Sequence, residues 1–253
     1  MIPSKVNCDY SRLDVNTKSS FGSIKVKSSI GSGFNGGLMS NDMQNYYDFQ
    51  YHVDQHGGNL LGDYSLPSRI AFFQMHCCSP QCSVLDFGCG TGGVLSGLRD
   101  ISITGSVGID VSRSAIASAK AAFPAYRWER VEIGGDLPGV GPFDLVVSSE
   151  VIEHVFDVDD YLQRLRSALV LGGTLGLTCP FHGLWKDLVI ILAGKSEHHF
   201  HNPYDPHIRF YSLRSLKEVL TKNGFDFKLA RPICPRFGVS ALARMIGVKA
   251  IKR

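Results

Sequence analysis

The chain has 253 residues, a length that suits one α/β domain with additions. Hydrophobic residues make up 44% of it, so a sizeable core can form. The formal charge is only +3, from 26 basic and 23 acidic side chains, and there is no long basic run, which argues against a nucleic-acid partner.

The N-terminal region differs in composition from the rest of the chain. Residues 1–45 are rich in Ser, Gly, Asn and Lys without periodicity, which predicts a flexible extension followed by a folded domain over 46–253. No secretory signal and no apolar run of about 20 residues is visible. Seven scattered cysteines indicate free thiols in a reducing compartment, so a cytoplasmic protein is expected.

From Ser65 onward, helical and strand patterns alternate with short links, which predicts a parallel sheet covered by helices on both faces. The predicted helices are 65–77, 93–100, 112–123 and 158–173, the last stopped by two glycines. The predicted strands are 82–88, 105–112, 126–133, 143–149 and 174–180. After an irregular insertion over 181–210 come one more helix and two strands, one of them antiparallel. The fold expected is a Rossmann-like α/β domain with a seven-stranded, mostly parallel sheet.

The stretch DFGCGTGG (86–93) places four glycines directly after the first predicted strand. Glycine permits a sharp turn and a close approach of ligand to backbone at the carboxyl edge of such a sheet. No lysine follows, which disfavours a phosphate-binding loop. Asp86 can pair with an ammonium group, and Asp110, at the end of the next strand, can accept hydrogen bonds from a ribose. S-adenosylmethionine fits this combination.

Three motifs, VLDFGCGTGG, GIDVS and FDLVVSSEVIEHV, resemble those of class I S-adenosylmethionine-dependent methyltransferases over about residues 66–180. The resemblance implies that the cofactor contacts lie in these motifs. They are Asp86, Gly88, Cys89, Gly90, Asp110, Val111 and Ser149. The resemblance also implies an acidic residue beside the adenine of the cofactor, for which Glu132 and Asp136 are both candidates.

The segment SSEVIEHV is similar to that of the O-methyltransferases of ubiquinone biosynthesis, which implies a divalent-metal site at Glu150, Glu153 and His154. On a helical turn, the spacing i, i+3 and i+4 puts these side chains on one face. Two carboxylates and an imidazole can bind Mg²⁺, and the ion would orient and acidify a catechol-type hydroxyl of the acceptor. The alternatives are that Glu153 and His154 cap or pair on a helical turn, or that His154 is a general base.

The insertion 181–210 holds five of the nine histidines. Its prolines favour a loop that contacts substrate over a zinc cluster, and His201 and His207 are the first candidates for a catalytic base. The apolar stretch 183–195 is predicted to form a lid helix. Alternatively, residues 184–193 touch a membrane surface peripherally to reach a polyprenyl substrate.

Together these features predict O-methylation of a small phenolic or polyprenyl-quinone precursor. A methyltransferase acting on a sugar hydroxyl and a non-catalytic partner subunit of the same fold are the alternatives. The partner expected is a small-molecule substrate, and nothing in the sequence indicates an oligomeric state.

Overall fold

A computed structural model describes residues 63–135, 137, 141–202, 206–236 and 238–253. The predicted extension over 1–45 and the candidate Asp136 lie outside this part of the chain.

Helices and strands alternate through the first half of the domain. The elements are α1 (Leu66–His76), β1 (Val84–Phe87), α2 (Gly93–Gly97), β2 (Val107–Asp110), α3 (Arg113–Ala122) and β3 (Arg127–Arg130). The second half continues with β4 (Phe143–Ser149), a 3₁₀ turn (Ile152–His154), α4 (Val158–Ala168) and β5 (Leu169–Pro180). It ends with α5 (Leu184–Leu192), α6 (Ser196–Phe200), α7 (Leu213–Lys222), β6 (Phe225–Arg236) and β7 (Val239–Lys252).

The sheet has seven strands in the order β3-β2-β1-β4-β5-β7-β6. The first five strands of this order are parallel, and β7 runs antiparallel to both of its neighbours. The predicted Rossmann-like sheet, with its one antiparallel strand, is therefore confirmed. Strand order reverses between β1 and β4, and in this class of sheet ligands bind at the carboxyl ends of the strands that flank the reversal.

Two hydrophobic clusters cover the two faces of the sheet. Residues of α4 and α7 belong to one cluster, and residues of α1, α2 and α3 belong to the other. The central strands β2 and β4 are almost fully buried between them, as expected for a parallel sheet packed on both sides. This packing fixes the strand ends from which the site is built.

The prediction that α4 continues to Gly172–Gly173 is wrong. The helix ends at Ala168, and Leu169 already pairs with Phe143 as the first residue of β5. The next pairing joins Leu145 to Thr174, so residues 170–173 bulge from the strand, with Gly172 at a φ of +75°. The apolar pattern of LVL suited a helix or a strand, and pairing with β4 decided between them.

Candidate functional site

The glycine-rich loop between β1 and α2 requires glycine at two positions, both for the backbone conformation and for close packing. Gly88 has a φ of +77°, and a Cβ added there would lie 2.5 Å from Cγ2 of Val151. Gly92 has a φ of +88°, and its Cβ would lie 2.8 Å from Cη2 of Trp128. The loop thus rests on the buried indole of β3 and on the residue that precedes the 3₁₀ turn. Its glycines serve close packing as well as backbone conformation.

Asp86 lies fully buried at the end of β1. Its Oδ2 accepts a hydrogen bond of 3.2 Å from the Leu95 amide of α2, while its Oδ1 has no hydrogen-bond partner. Burial raises the pKa of this carboxyl to about 7, with a further contribution from Asp110, and the Leu95 amide and Arg69 oppose the rise. Because this buried oxygen is unpartnered, a positively charged group bound close to this strand end would stabilise it.

Asp110, at the end of β2, connects the glycine-rich loop to the second strand. Its Oδ2 accepts a hydrogen bond of 2.8 Å from the Gly90 amide, and its Oδ1 accepts one of 2.9 Å from the Ser112 amide. Cys89 is buried between these acids, and burial raises the pKa of its thiol. Val111 is half-buried, and Glu132 is exposed after β3. Asp86 and Asp110 therefore both border the glycine-rich loop, as the motif spacing predicts.

Arg69 of α1 was not found by sequence analysis. Its guanidinium is buried, donates a hydrogen bond of 2.5 Å to the Ser149 hydroxyl and pairs with Asp63. The Ser149 hydroxyl also lies 2.9 Å from that of Thr178 on β5. A cation thus stands beside the end of β4. The signal in the sequence is an arginine in the buried stripe of α1, three and four residues before Phe72 and Phe73.

The expected helical face of Glu150, Glu153 and His154 does not form. Glu150 has a φ of +57°, and the 3₁₀ turn begins only at Ile152. Burial raises the pKa of the Glu150 carboxyl against the opposing charge of Arg69, and its Oε1 has no hydrogen-bond partner among the described residues. Among the described residues, the group able to share one ion consists of Glu153, His154 and His207, without Glu150. The left-handed backbone at Glu150 is the reason that the three predicted ligands do not share one helical face.

Glu153 is the buried centre of this second group. Its side chain is fully buried, and among the described residues neither carboxyl oxygen has a hydrogen-bond partner. Nε2 of His154 lies 3.9 Å and Nε2 of His207 lies 4.0 Å from Oε1 of Glu153. Burial, and then the charge of Glu150, raise the pKa of the Glu153 carboxyl well above its ordinary value. Two imidazoles therefore border a carboxyl that protein groups leave unsatisfied.

The insertion is joined to the 3₁₀ turn by main-chain contacts. The amides of Ile208 and Arg209 donate hydrogen bonds of 3.0 and 3.2 Å to the carbonyl of Glu153. The Arg209 guanidinium in turn donates to the carbonyls of Val155 and Phe156. These contacts bring His207 beside His154, with 4.9 Å between their ring centroids. Chain order alone gives no sign of this pairing.

The other histidines of the insertion lie elsewhere. His201 follows α6, is largely exposed and lies 3.8 Å from Glu197, outside the group around Glu153. His182, after β5, has its Nδ1 3.0 Å from Asp187 and packs against Phe200 and Phe210. Of the two candidate bases in the insertion, the structure brings His207 to the site and leaves His201 apart.

The strand order, the glycine-rich loop and the two strand-end acids are those of the class I S-adenosylmethionine-dependent methyltransferase fold. Solved structures share this fold. One is a chain of the complex between the Haloferax volcanii Trm112 methyltransferase activator and a methyltransferase, with a TM-score of 0.61, 15% identity and coverage of 84% of this chain and 96% of that one. Another is magnesium protoporphyrin IX methyltransferase from Synechocystis PCC 6803 with bound SAH, with a TM-score of 0.59, 16% identity and coverage of 84% and 99%.

Sequence comparison gives the family. Residues 59–228 match the methyltransferase domain family, and the chain belongs to it. It is similar to the ubiquinone biosynthesis O-methyltransferase of Bradyrhizobium diazoefficiens, with 32% identity over 44% of each chain. It is also similar to the trans-aconitate 2-methyltransferase of Variovorax paradoxus, with 33% identity over 38% of each. The chain spans less than half the length of these curated relatives.

Proposed function

We propose that this methyltransferase transfers the methyl group of S-adenosylmethionine to a hydroxyl oxygen of a small phenolic acceptor, with a polyprenyl-quinone precursor as the preferred class. The observation that carries the proposal is the pair of imidazoles, His154 and His207, beside the buried carboxyl of Glu153 at the carboxyl edge of the sheet. The similarity to ubiquinone biosynthesis O-methyltransferases supports an oxygen acceptor.

The cofactor would occupy the loop after β1. Asp110 would bind the ribose hydroxyls, and Asp86, through its unpartnered oxygen, would meet the ammonium group. Gly88 and Gly90 would admit the ligand close to the backbone. Arg69 would bind the carboxylate of the methionine moiety in exchange for the half-exposed Asp63.

The acceptor would lie between the 3₁₀ turn and the insertion. The sulfonium is a reactive donor, so the protein has mainly to align it with the nucleophile and exclude water. His154 or His207 would take the proton of the acceptor hydroxyl as the new oxygen–carbon bond forms. No step of this proposal requires a metal ion.

The surface around these histidines is apolar. Phe156 is 85% exposed directly after the turn, and Ile208 and Phe210 are also exposed on the insertion. Such a rim suits an aromatic or prenylated acceptor and offers little to a sugar. Helix α5 extends the apolar surface with the exposed side chains of Leu184, Trp185, Val189, Ile191 and Leu192. We therefore propose that α5 contacts a membrane surface peripherally. Among the described helices, none is long and apolar enough to cross a membrane.

A methyl-transfer screen with labelled S-adenosylmethionine tests the proposal. Catechol-type acceptors, with and without a prenyl chain, and sugar acceptors are compared under the same conditions. We expect O-methylated catechols, fastest with the prenyl chain, and a loss of about 10²–10⁴-fold in kcat when the base is replaced, either in His154→Ala or in His207→Ala. Transfer to sugars alone would contradict the proposal. Failure to bind S-adenosylhomocysteine in calorimetry would favour a non-catalytic role.

A further inference from the structure

Three side chains with metal-binding atoms meet where sequence spacing does not predict them. Glu153 and His154 come from the 3₁₀ turn after β4, and His207 comes from the insertion more than fifty residues later. One ligand atom from each of the three lies within 4.8 Å of the others. The site lies within the proposed acceptor side, so the inference deepens the proposed function and rests on it for its location.

The carboxyl of Glu153 is the first indication of a cation site. It is fully buried, and both of its oxygens lack a hydrogen-bond partner in the described part of the chain. A buried charge without compensation is costly, and proteins generally pair such a group or bind a metal ion with it. The neighbouring imidazole nitrogens lie too far from the carboxyl, at 3.9 and 4.0 Å, to satisfy it by hydrogen bonds.

His154 is already oriented as a metal ligand would be. Its Nδ1 lies 3.1 Å from the carbonyl oxygen of Pro206, to which it can only donate. That contact favours the tautomer in which Nε2, the atom nearer Glu153, carries the lone pair. Metal-binding histidines commonly use their second nitrogen in this way, because it fixes the ring and the tautomer. Pro206 precedes His207, so the same loop positions both rings.

The spacing of the donor atoms fits one ion after a small contraction. Ligands bonded at about 2.1 Å around a tetrahedral ion lie about 3.4 Å apart. The distances from Glu153 Oε1 to the two Nε2 atoms are 3.9 and 4.0 Å, and all the donor atoms lie within 4.8 Å of one another, so closure needs shifts of roughly 0.5 to at most about 1.4 Å. The contacts of Arg209 and Ile208 with the 3₁₀ turn hold the loop close enough for such a movement.

The donor set does not suit the Mg²⁺ that the family resemblance implies. Mg²⁺ prefers oxygen ligands in octahedral geometry, whereas two imidazole nitrogens and one carboxylate suit Zn²⁺ and similar ions. The residue that would add a second carboxylate, Glu150, lies outside the group of described residues that can share one ion.

We infer that Glu153, His154 and His207 form a site for a borderline divalent cation such as Zn²⁺, with His207 rather than Glu150 as the third ligand. When bound, such an ion would supply Lewis acidity toward an acceptor hydroxyl, in place of the general base that His154 or His207 provides in the metal-free site. Because His207 belongs to the insertion, its coordination would also fix the substrate loop against the 3₁₀ turn.

Titration of the untagged full chain with Co²⁺, read by optical absorption, tests the site without any enzyme assay. We expect one Co²⁺ per chain, with ligand-field bands of a nitrogen and oxygen donor set, and displacement by Zn²⁺. His207→Ala and the conservative His207→Gln should each weaken binding by roughly tenfold or more. His198→Ala, an exposed histidine of the same insertion, is the matched control and should bind as the wild type does.

Several results would overturn the inference. One is unchanged Co²⁺ affinity in both His207 variants when their melting temperatures equal that of the wild type. Another is a thiolate charge-transfer band, because the ion would then sit on cysteines. A third is Mg²⁺ binding that is lost in Glu150→Gln and kept in His207→Gln. If no ion binds and catechols are still methylated, this inference fails while the proposed function stands.

Discussion

Gly88 is required both for its positive φ and for the close approach of Val151, and alanine variants can separate the two effects. Its φ is +77°, and an added Cβ would approach Val151 to 2.5 Å. We expect Gly88→Ala to lower the free energy of unfolding through both backbone strain and steric overlap. Val151 lies next to Glu150 and precedes the 3₁₀ turn, so the substitution should also weaken binding of S-adenosylhomocysteine. Urea unfolding and calorimetry measure the two effects.

Gly172→Ala is the matched control for this prediction. Gly172 has a φ of +75°, and nothing lies within 4 Å of its added Cβ. Its alanine variant should lose about 1–2 kcal/mol from the left-handed backbone alone. Gly88→Ala should lose about 1–3 kcal/mol more, because overlap adds to strain. Equal losses in the two variants would mean that Val151 moves aside at no cost.

Asp86 gives cofactor binding a pH dependence whose sign follows from its environment. Burial raises the pKa of Asp86 in the unliganded protein to about 7. A bound ammonium favours the ionised form, so the carboxyl must lose its proton on binding, and affinity falls as the pH drops through that value. We expect S-adenosylhomocysteine to bind roughly tenfold more weakly near pH 6 than near pH 8. Calorimetry at both values measures it, and Asp86→Asn should bind weakly without this dependence. An equal pH dependence in Asp86→Asn would assign the proton to another group.

At the level of single residues, the sequence predicts those roles that the backbone pattern enforces. Asp86 and Asp110 follow from strand ends and the glycine loop between them, and the structure places both beside that loop. Arg69 and Glu150 show the limit. Arg69 donates a hydrogen bond to Ser149, which is distant in sequence. Glu150 has a left-handed backbone conformation that residue spacing does not indicate. Both depend on tertiary contacts that local sequence does not contain.

Among the described helices and strands, α5 exposes the most large apolar side chains. Ile190 is its buried residue, so the helix packs through that side and exposes its six other apolar side chains, including Leu192 at 77%. If this surface meets lipid, replacing an inserted leucine with aspartate removes apolar burial and adds a charge. We expect Leu192→Asp to weaken binding to vesicles of phosphatidylcholine and phosphatidylglycerol by roughly tenfold or more, with an unchanged melting temperature. Flotation assays measure the binding.

Leu171→Asp is the control for the α5 prediction. Leu171 is 80% exposed in the bulge at the start of β5, at the opposite edge of the sheet from α5. Its replacement should leave vesicle binding as it is. A similar loss of binding in both variants, or no binding by the wild type, would contradict membrane contact. It would favour the alternative that α5 is a lid over the acceptor pocket.

The order of the elements was predictable because each carries its own periodicity. The insertion was less so. Its sequence indicates an apolar helix and a histidine-rich loop, and α5 does form over Leu184–Leu192. The attachment of residues 206–209 to the 3₁₀ turn runs through main-chain carbonyls and amides, which every sequence possesses. The choice of His207 over His201 therefore required the folded chain.

For the whole molecule, the chain topology was the most predictable property. Alternating strand and helix patterns predict the parallel sheet, and the final pair of strands completes it with β7 antiparallel between β5 and β6. The site is assembled from α1, the ends of β1, β2 and β4, and the insertion after β5. Its strand ends follow from topology, whereas its outer half depends on contacts between distant segments. The sequence therefore predicts where the strand-end residues lie, but not how the insertion attaches to the 3₁₀ turn.

The indole of Trp128, packed beneath Gly92, has an optical consequence. The chain contains two tryptophans, and the other, Trp185, is 64% exposed on α5. Trp128 is therefore buried below the glycine-rich loop, whereas Trp185 faces solvent on α5. Their emission should differ in wavelength and in access to quenchers. A single intrinsic-fluorescence titration can thus follow ligand uptake and lipid contact as separate signals from an unlabelled protein.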